Sequence, residues 1–255
     1  MNQARIERIE LDELSCWRVR LGDAELLVAQ QGAQVLSYRR GKQPPLIWLS
    51  EQAACKRGQS VRGGVPVCWP WFGDLQRNPP ALQAQHASPA AALFHGGVRT
   101  ADWQVLDIAS DNDGVYLRFV FDTREQPLAD WPHAATLQLD IHLDERLHLN
   151  LTSHNQGQAP LALSQALHSY FAVSDIRQVA VSGLDGCRYL ETLENWDERR
   201  QQGALHFSGE TDRVYLGVPE QLRLHDTGWS RTLCLQTHGS ASAILWNPWD
   251  EKSKR

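Results

Sequence analysis

An all-β fold built of antiparallel sheets packed face to face is what this 255-residue sequence predicts. Three features carry that expectation. Short runs with apolar residues at alternate positions recur along the chain, turn-forming residues fall between them, and a helical pattern shows in one segment only.

Taken in order, Cys16 to Leu21 (C-W-R-V-R-L) alternates, Glu25 to Ala29 suits a buried strand, and Val35 to Arg39 alternates again. Gly22-Asp23 and Gln31-Gly32 supply the turns between them. Pro44 to Leu49 is a short apolar segment. Asn78 to Ala92 combines three prolines with many small residues, which suits a mobile excursion at the surface or a lid. Trp103 to Ile108 and Val115 to Phe121 form a hairpin across Asp111-Asn112-Asp113-Gly114, and Ala135 to Leu143 pairs with Arg146 to Ser153 across Asp144-Glu145. Leu161 to Val173, Val179 to Ser182, Arg213 to Leu216, Gln221 to His225, Thr232 to Thr237 and Ala243 to Trp246 complete the strands. Leu193 to Gln202 (L-E-N-W-D-E-R-R-Q-Q) is the expected helix. Nothing in the sequence marks a linker or a break in composition, so one domain over 1–255 is expected.

Composition excludes several classes of partner. A net charge of -5 gives no reason to expect nucleic acid or an anionic membrane. The N-terminal M-N-Q-A-R-I-E-R-I-E lacks the apolar core of a signal peptide, and no later run approaches membrane-spanning length. Cys16, Cys55, Cys68, Cys187 and Cys234 are scattered and without C-x-x-C spacing, as expected of reduced thiols in the cytoplasm. Ten tryptophans are many for this length; they suit either a core or a carbohydrate, whose C–H faces pack on aromatic rings.

Two stretches stand out for chemistry. Val61 to Gly73 (V-R-G-G-V-P-V-C-W-P-W-F-G) and Phe94 to Trp103 (F-H-G-G-V-R-T-A-D-W) each set an arginine beside a Gly-Gly pair. Glycine lets the main chain turn tightly and approach a ligand, and a guanidinium there can grip an oxyanion. Arg62 and Arg99 are the candidate anion-binding residues. His95 is either a ligand contact or the polar anchor of its loop. His168, in S-Q-A-L-H-S-Y-F, is either a hydrogen-bonded core histidine or a proton carrier on a rigid strand. Asp212, in G-E-T-D-R-V-Y, reads on its own as a turn or capping carboxylate paired with Arg213. Ser164, His168 and Asp212 could be drawn as a triad, but the sequence has no G-x-S-x-G elbow. His142 and His148 fall on neighbouring strands without the clustered carboxylate spacing of a metal site, so no metal is expected.

Together R-G-G-V-P-V-C-W-P-W-F-G, H-G-G-V-R-T-A-D-W, A-L-H-S-Y-F and T-D-R-V-Y resemble, in family order, the hexose-6-phosphate mutarotase (glucose-6-phosphate 1-epimerase) branch of the aldose 1-epimerase superfamily. The resemblance runs from near the N-terminus to W-N-P-W at Trp246 to Trp249. It implies a large antiparallel β-sandwich of the galactose mutarotase-like kind and a cytoplasmic, monomeric enzyme that needs no cofactor. The implied partner is a hexose 6-phosphate whose α and β anomers are interconverted. By the same resemblance Arg62 and Arg99 bind the phosphate, His168 is the catalytic histidine and Asp212 contacts the sugar, while His95 matches a loop histidine. The family's second catalytic group is a glutamate in a Cys-Val/Ile-Glu-Thr/Pro-Ala-like strand after W-N-P-W. The sequence ends at Arg255 without that segment, and Glu251 belongs to the stretch before it. The expectation is therefore a domain that is C-terminally incomplete relative to the family, with an unpaired sheet edge. The alternative reading is a non-catalytic sugar-phosphate-binding protein.

Overall fold

The computed structural model describes residues 4–250; Glu251 lies outside them. Their regular structure is almost entirely antiparallel strand, as expected, and falls into two compact units, Met1–Ala172 and Val173–Arg255.

In the first unit, β1 (Arg5–Leu11), β2 (Leu14–Leu21), β3 (Ala24–Ala29) and β4 (Val35–Arg40) form a meander in sequence order. β1 went unread in the sequence because its isoleucines, Ile6 and Ile9, are three apart among charged residues and give no period-two signal, and its face is only half-buried. After the two-residue β5 (Val67–Cys68) comes a second meander, β6 (Gln104–Ser110), β7 (Val115–Asp122), β8 (Ala135–Leu143) and β9 (Leu147–Asn155). Alternation sends Val115, Leu117, Phe119 and Phe121 of β7 and Leu137, Leu139 and Ile141 of β8 inward. They join Val19, Leu26, Val28 and Val35 of the first sheet in one core, into which Trp69, Trp71 and Trp103 are also packed.

One expectation fails here, and another segment gains detail. Leu161 to Val173 is a regular strand only at β10 (Ala166–Leu167), which pairs with β5. The rest is extended but irregular, because its neighbour contains Pro66 and Pro70, which have no amide to donate. Asn78 to Ala92 contains the one-turn helix α1 (Pro80–Gln83) and is held by the Ala87 amide donating to the Asp130 carbonyl and by His133 Nε2 against the Gln85 carbonyl at 2.8 Å.

The second unit holds β11 (Val179–Ser182), β12 (Arg188–Glu191), β13 (Asp197–Arg200), β14 (Leu205–His206), β15 (Thr211–Leu216), β16 (Gln221–Asp226), β17 (Arg231–Gln236) and β18 (Ser242–Asn247). They form two sheets, ordered β14-β11-β16-β17 and β13-β12-β15-β18. The expected helix at Leu193 to Gln202 is instead a turn followed by β13. Asn195 and Trp196 take φ of 56° and 64°, reversing the chain, and β13 pairs with β12 residue for residue. The segment has too few apolar residues to give a helix a buried face, whereas an exposed edge strand tolerates its charges. Arg188 pairs with Glu198 at 3.1 Å, and Arg199 with Glu194.

Among the described residues no helix is long and apolar enough to cross a membrane.

Candidate active site

The first arginine loop threads the interior of unit one. Arg62 is exposed, but every residue from Gly63 to Trp71 is buried. Gly63 and Gly64 have φ of +106° and +71°; a Cβ on Gly63 would stand 2.7 Å from the Trp48 carbonyl oxygen, and one on Gly64 would overlap that of Val35. No other residue fits both the dihedral and the space.

The second loop is fastened to the first through main chain. Gly96 forms a parallel bridge with Trp69, so close that a Cβ would overlap the Trp69 carbonyl oxygen. The His95 amide donates to the Gly73 carbonyl at 2.9 Å, and the Gly73 amide donates to His95 Nδ1 at 2.9 Å. The second bond leaves the ring proton on Nε2. His95 is thus a structural anchor, with its other nitrogen still available to a ligand.

A third wall comes from the residues around β10. The His168 amide donates to the Pro66 carbonyl and the Tyr170 amide to that of Gly64, both at 2.9 Å. Alternate amides of this segment therefore grip the first loop, and His168 lies beside both glycine loops. Its ring stacks on Tyr170 at 4.6 Å, lies 5.9 Å from Phe72 and meets the edge of His95 at 5.6 Å. Phe94 packs edge-on against His95, and Trp48 flanks Tyr170. His168 remains half-buried and not sealed. The aromatic surround of Trp48, Phe72, Phe94 and Tyr170 was not singled out in the sequence, although Phe72 and Tyr170 sit inside the quoted motifs W-P-W-F-G and L-H-S-Y-F.

Electrostatics follow from this packing. Burial, followed by the charges of His168 and Arg99, lowers the pKa of His95 to about 3. Burial also lowers His168, with Arg99 adding to the effect and its own backbone hydrogen bond opposing it. Both imidazoles are therefore neutral near pH 7. Burial raises the Tyr170 phenol, and the charges of Arg99 and Arg62 both act against that rise. The charges of both arginines, far apart in the sequence, therefore act on the phenol whose ring stacks with His168. Arg99 donates through Nη2 to the Phe94 carbonyl at 2.9 Å, which turns its fork back along its own loop.

The remaining candidates have contacts of their own. Ser164 gives its hydroxyl oxygen to the Phe72 amide at 3.4 Å, a loop-fixing role. Asp212 is half-buried on β15 of the second unit, where its carbonyl accepts from the Thr192 amide and hydroxyl at 3.0 Å each. Arg213, its expected partner, instead donates to Glu191 Oε2 at 2.8 Å, because adjacent residues of a strand face opposite ways. On the first unit, His142, Asp144 and His148 present ligand atoms within 4.8 Å of one another; the carboxylate that linear spacing did not reveal is supplied by the turn.

Comparison with known proteins places this arrangement. Residues 16–255 match the family described as aldose 1-epimerase. A protein of Escherichia coli K12, named as a candidate glucose-6-phosphate 1-epimerase, is 34% identical over 244 residues, covering 95% of this chain and 77% of that protein. A relative from Cenchrus ciliaris bearing the same name is 31% identical over 88% of this chain and 67% of its own length. The crystal structure of a candidate mutarotase from Salmonella typhimurium superposes with a TM-score of 0.82 at 32% identity, over 95% of this chain and 77% of that one. A Synechocystis protein shares the fold at 20% identity, with a TM-score of 0.81 over 95% of this chain and 84% of that one. The chain belongs to the aldose 1-epimerase family and is an isomerase of that kind, with a sugar as its substrate.

Proposed function

We propose that this protein is a hexose-6-phosphate mutarotase, interconverting the α and β anomers of D-glucose 6-phosphate and related aldohexose 6-phosphates. The observation that carries the reading is the position of His168 beside two glycine loops, one bearing Arg62 and the other Arg99. It supplies two fixed positive charges beside an imidazole, which is what a sugar bearing a phosphate at one end and a reactive carbon at the other requires. The names of the E. coli and Cenchrus relatives support the same substrate.

Mutarotation removes the proton of the anomeric hydroxyl and adds one to the ring oxygen, so that the C1–O5 bond opens to the aldehyde. Rotation about C1–C2 and the reverse transfers close the ring on the other face. His168 is the proton carrier at the ring oxygen. Burial, more than Arg99, holds its pKa down, and a bound phosphate dianion, by offsetting Arg99, favours its protonation. Arg62 and Arg99 hold the phosphate, Asp212 holds a sugar hydroxyl, and His95 can offer Nε2–H to the sugar. The opposite proton transfer belongs, by the family pattern, to a glutamate. The single-domain organisation, the monomeric state and a cytoplasmic location are part of the same proposal.

Exchange spectroscopy on the two anomeric protons of glucose 6-phosphate tests it. The protein should accelerate exchange over buffer, and His168→Gln should abolish the acceleration while leaving sugar-phosphate binding intact. Binding without acceleration would establish a sugar-phosphate-binding protein instead, and absence of both would reject the reading.

A further inference from the structure

On the outer face of the β8–β9 hairpin, away from the core, three rings lie in a row across neighbouring strands. Tyr116 of β7 stands opposite His142 of β8, which stands opposite His148 of β9. Tyr116 and His142 stack at 4.2 Å and 3°, and His142 and His148 at 5.2 Å and 19°. The turn then brings Asp144 over the end of the row. Its Oδ1 accepts from the Arg146 amide at 2.6 Å and lies 3.1 Å from His148 Nε2.

We propose that His142, Asp144 and His148 form a binding site for a divalent transition-metal ion of the zinc, nickel or copper class. Zinc bonds of about 2.0–2.2 Å put two ligands of one ion roughly 3.4 Å apart, which is close to the His148–Asp144 separation of 3.1 Å. All three ligand atoms lie within 4.8 Å, so side-chain rotations of roughly an ångström complete the set on this partly exposed face. The donors are two imidazoles and one carboxylate, which favours these ions over calcium or magnesium. His142 Nε2 faces the Asp113 carbonyl at 3.3 Å; a neutral ring that donates there keeps its lone pair on the other nitrogen, the form that ligates a metal. Asp111 and Asp113, whose charges bear on Tyr116 at the same end of the sheet, add cation-attracting potential. Three protein ligands leave the remaining coordination positions to water, so the ion would cross-link the two strands at their turn.

The test is calorimetric titration of metal-stripped, tag-free protein with zinc, nickel, magnesium and calcium chlorides, with melting temperature as a second readout. One zinc per protein molecule should bind and raise the melting temperature, and magnesium and calcium should do neither. His148→Gln and Asp144→Asn should each weaken the zinc affinity by about tenfold or more. Cys187 and Cys234 are accessible thiols that also take zinc, so nickel-induced broadening of the His142 and His148 ring protons identifies the site. Failure of zinc to bind, or affinity and melting shift unchanged in both variants, overturns the proposal. Circular dichroism establishes that each variant is folded, and either one alone suffices.

Discussion

The Gly73 amide donates to Nδ1 of His95 at 2.9 Å, while the His95 amide donates back to the Gly73 carbonyl at the same distance. This reciprocal pair closes the end of the first arginine loop onto the start of the second. It also removes the one lone pair by which the His95 ring could take a proton.

The first prediction follows from the burial of that ring, with the charges of His168 and Arg99 adding to it. His95 titrates at about 3 in the folded protein and near 6.5 when unfolded. Between those values the unfolded chain binds the extra proton, so stability contributed by His95 is present above pH 6.5 and is lost as pH falls toward 3. Melting temperature should fall with pH across that window. His95→Asn, whose amide oxygen can accept from Gly73, should flatten the dependence. An unchanged slope in that variant would show that the proton is taken up elsewhere.

Gly96 provides a sharper test of the loop junction. It has φ of +70° and abuts the Trp69 carbonyl, so Gly96→Ala should cost more than about 2 kcal/mol by urea denaturation. Gly73 also has positive φ, +69°, but nothing lies within 4 Å of its added Cβ. Gly73→Ala should cost only about 1–2 kcal/mol, the penalty of the dihedral alone. Equal losses would refute the close approach.

Replacing Arg62 or Arg99 by alanine removes a charge-assisted contact worth about 1.5–3 kcal/mol. KM for glucose 6-phosphate should rise about tenfold or more in each variant, with kcat/KM for free glucose little changed. Comparable losses on both sugars would mean that the arginines hold the fold and not the phosphate.

His168→Gln should lower kcat by about 10²–10⁴ with KM nearly preserved. The pKa of His168 is lowered by burial and, to a lesser extent, by Arg99, so without added phosphate the ring should take its proton only below the usual histidine range. Saturating phosphate, by offsetting Arg99, should move that titration upward in a ring-proton NMR experiment. A titration unmoved by phosphate would separate the arginines from the histidine.

Much of this was legible in the sequence because period-two alternation and Gly-Gly pairs are local signals. β2, β4 and β7–β9 announce themselves by alternation, and the arginine loops by glycines that the structure shows cannot be replaced without overlap at Gly63, Gly64 and Gly96. What stayed hidden depends on contacts distant in the sequence. Asp197–Arg200 has a helix former's composition and becomes a strand because β12 offers it an edge. Asp144 meets His142 and His148 only once the hairpin closes. The aromatic packing around His168 required the region of β10 to be laid along the first loop.

The main-chain seam between Trp69 and Gly96 has a consequence for how such a site can change over generations. The junction of the two loops rests on the close approach of Gly96 to the Trp69 carbonyl, whereas the Arg99 guanidinium bonds to the Phe94 carbonyl within its own loop. On the proposed reading, preference for a charged sugar is then a detachable property. A descendant could exchange either arginine for a neutral side chain, keep the pocket walls and the proton carrier in place, and so drift from phosphorylated to plain hexoses.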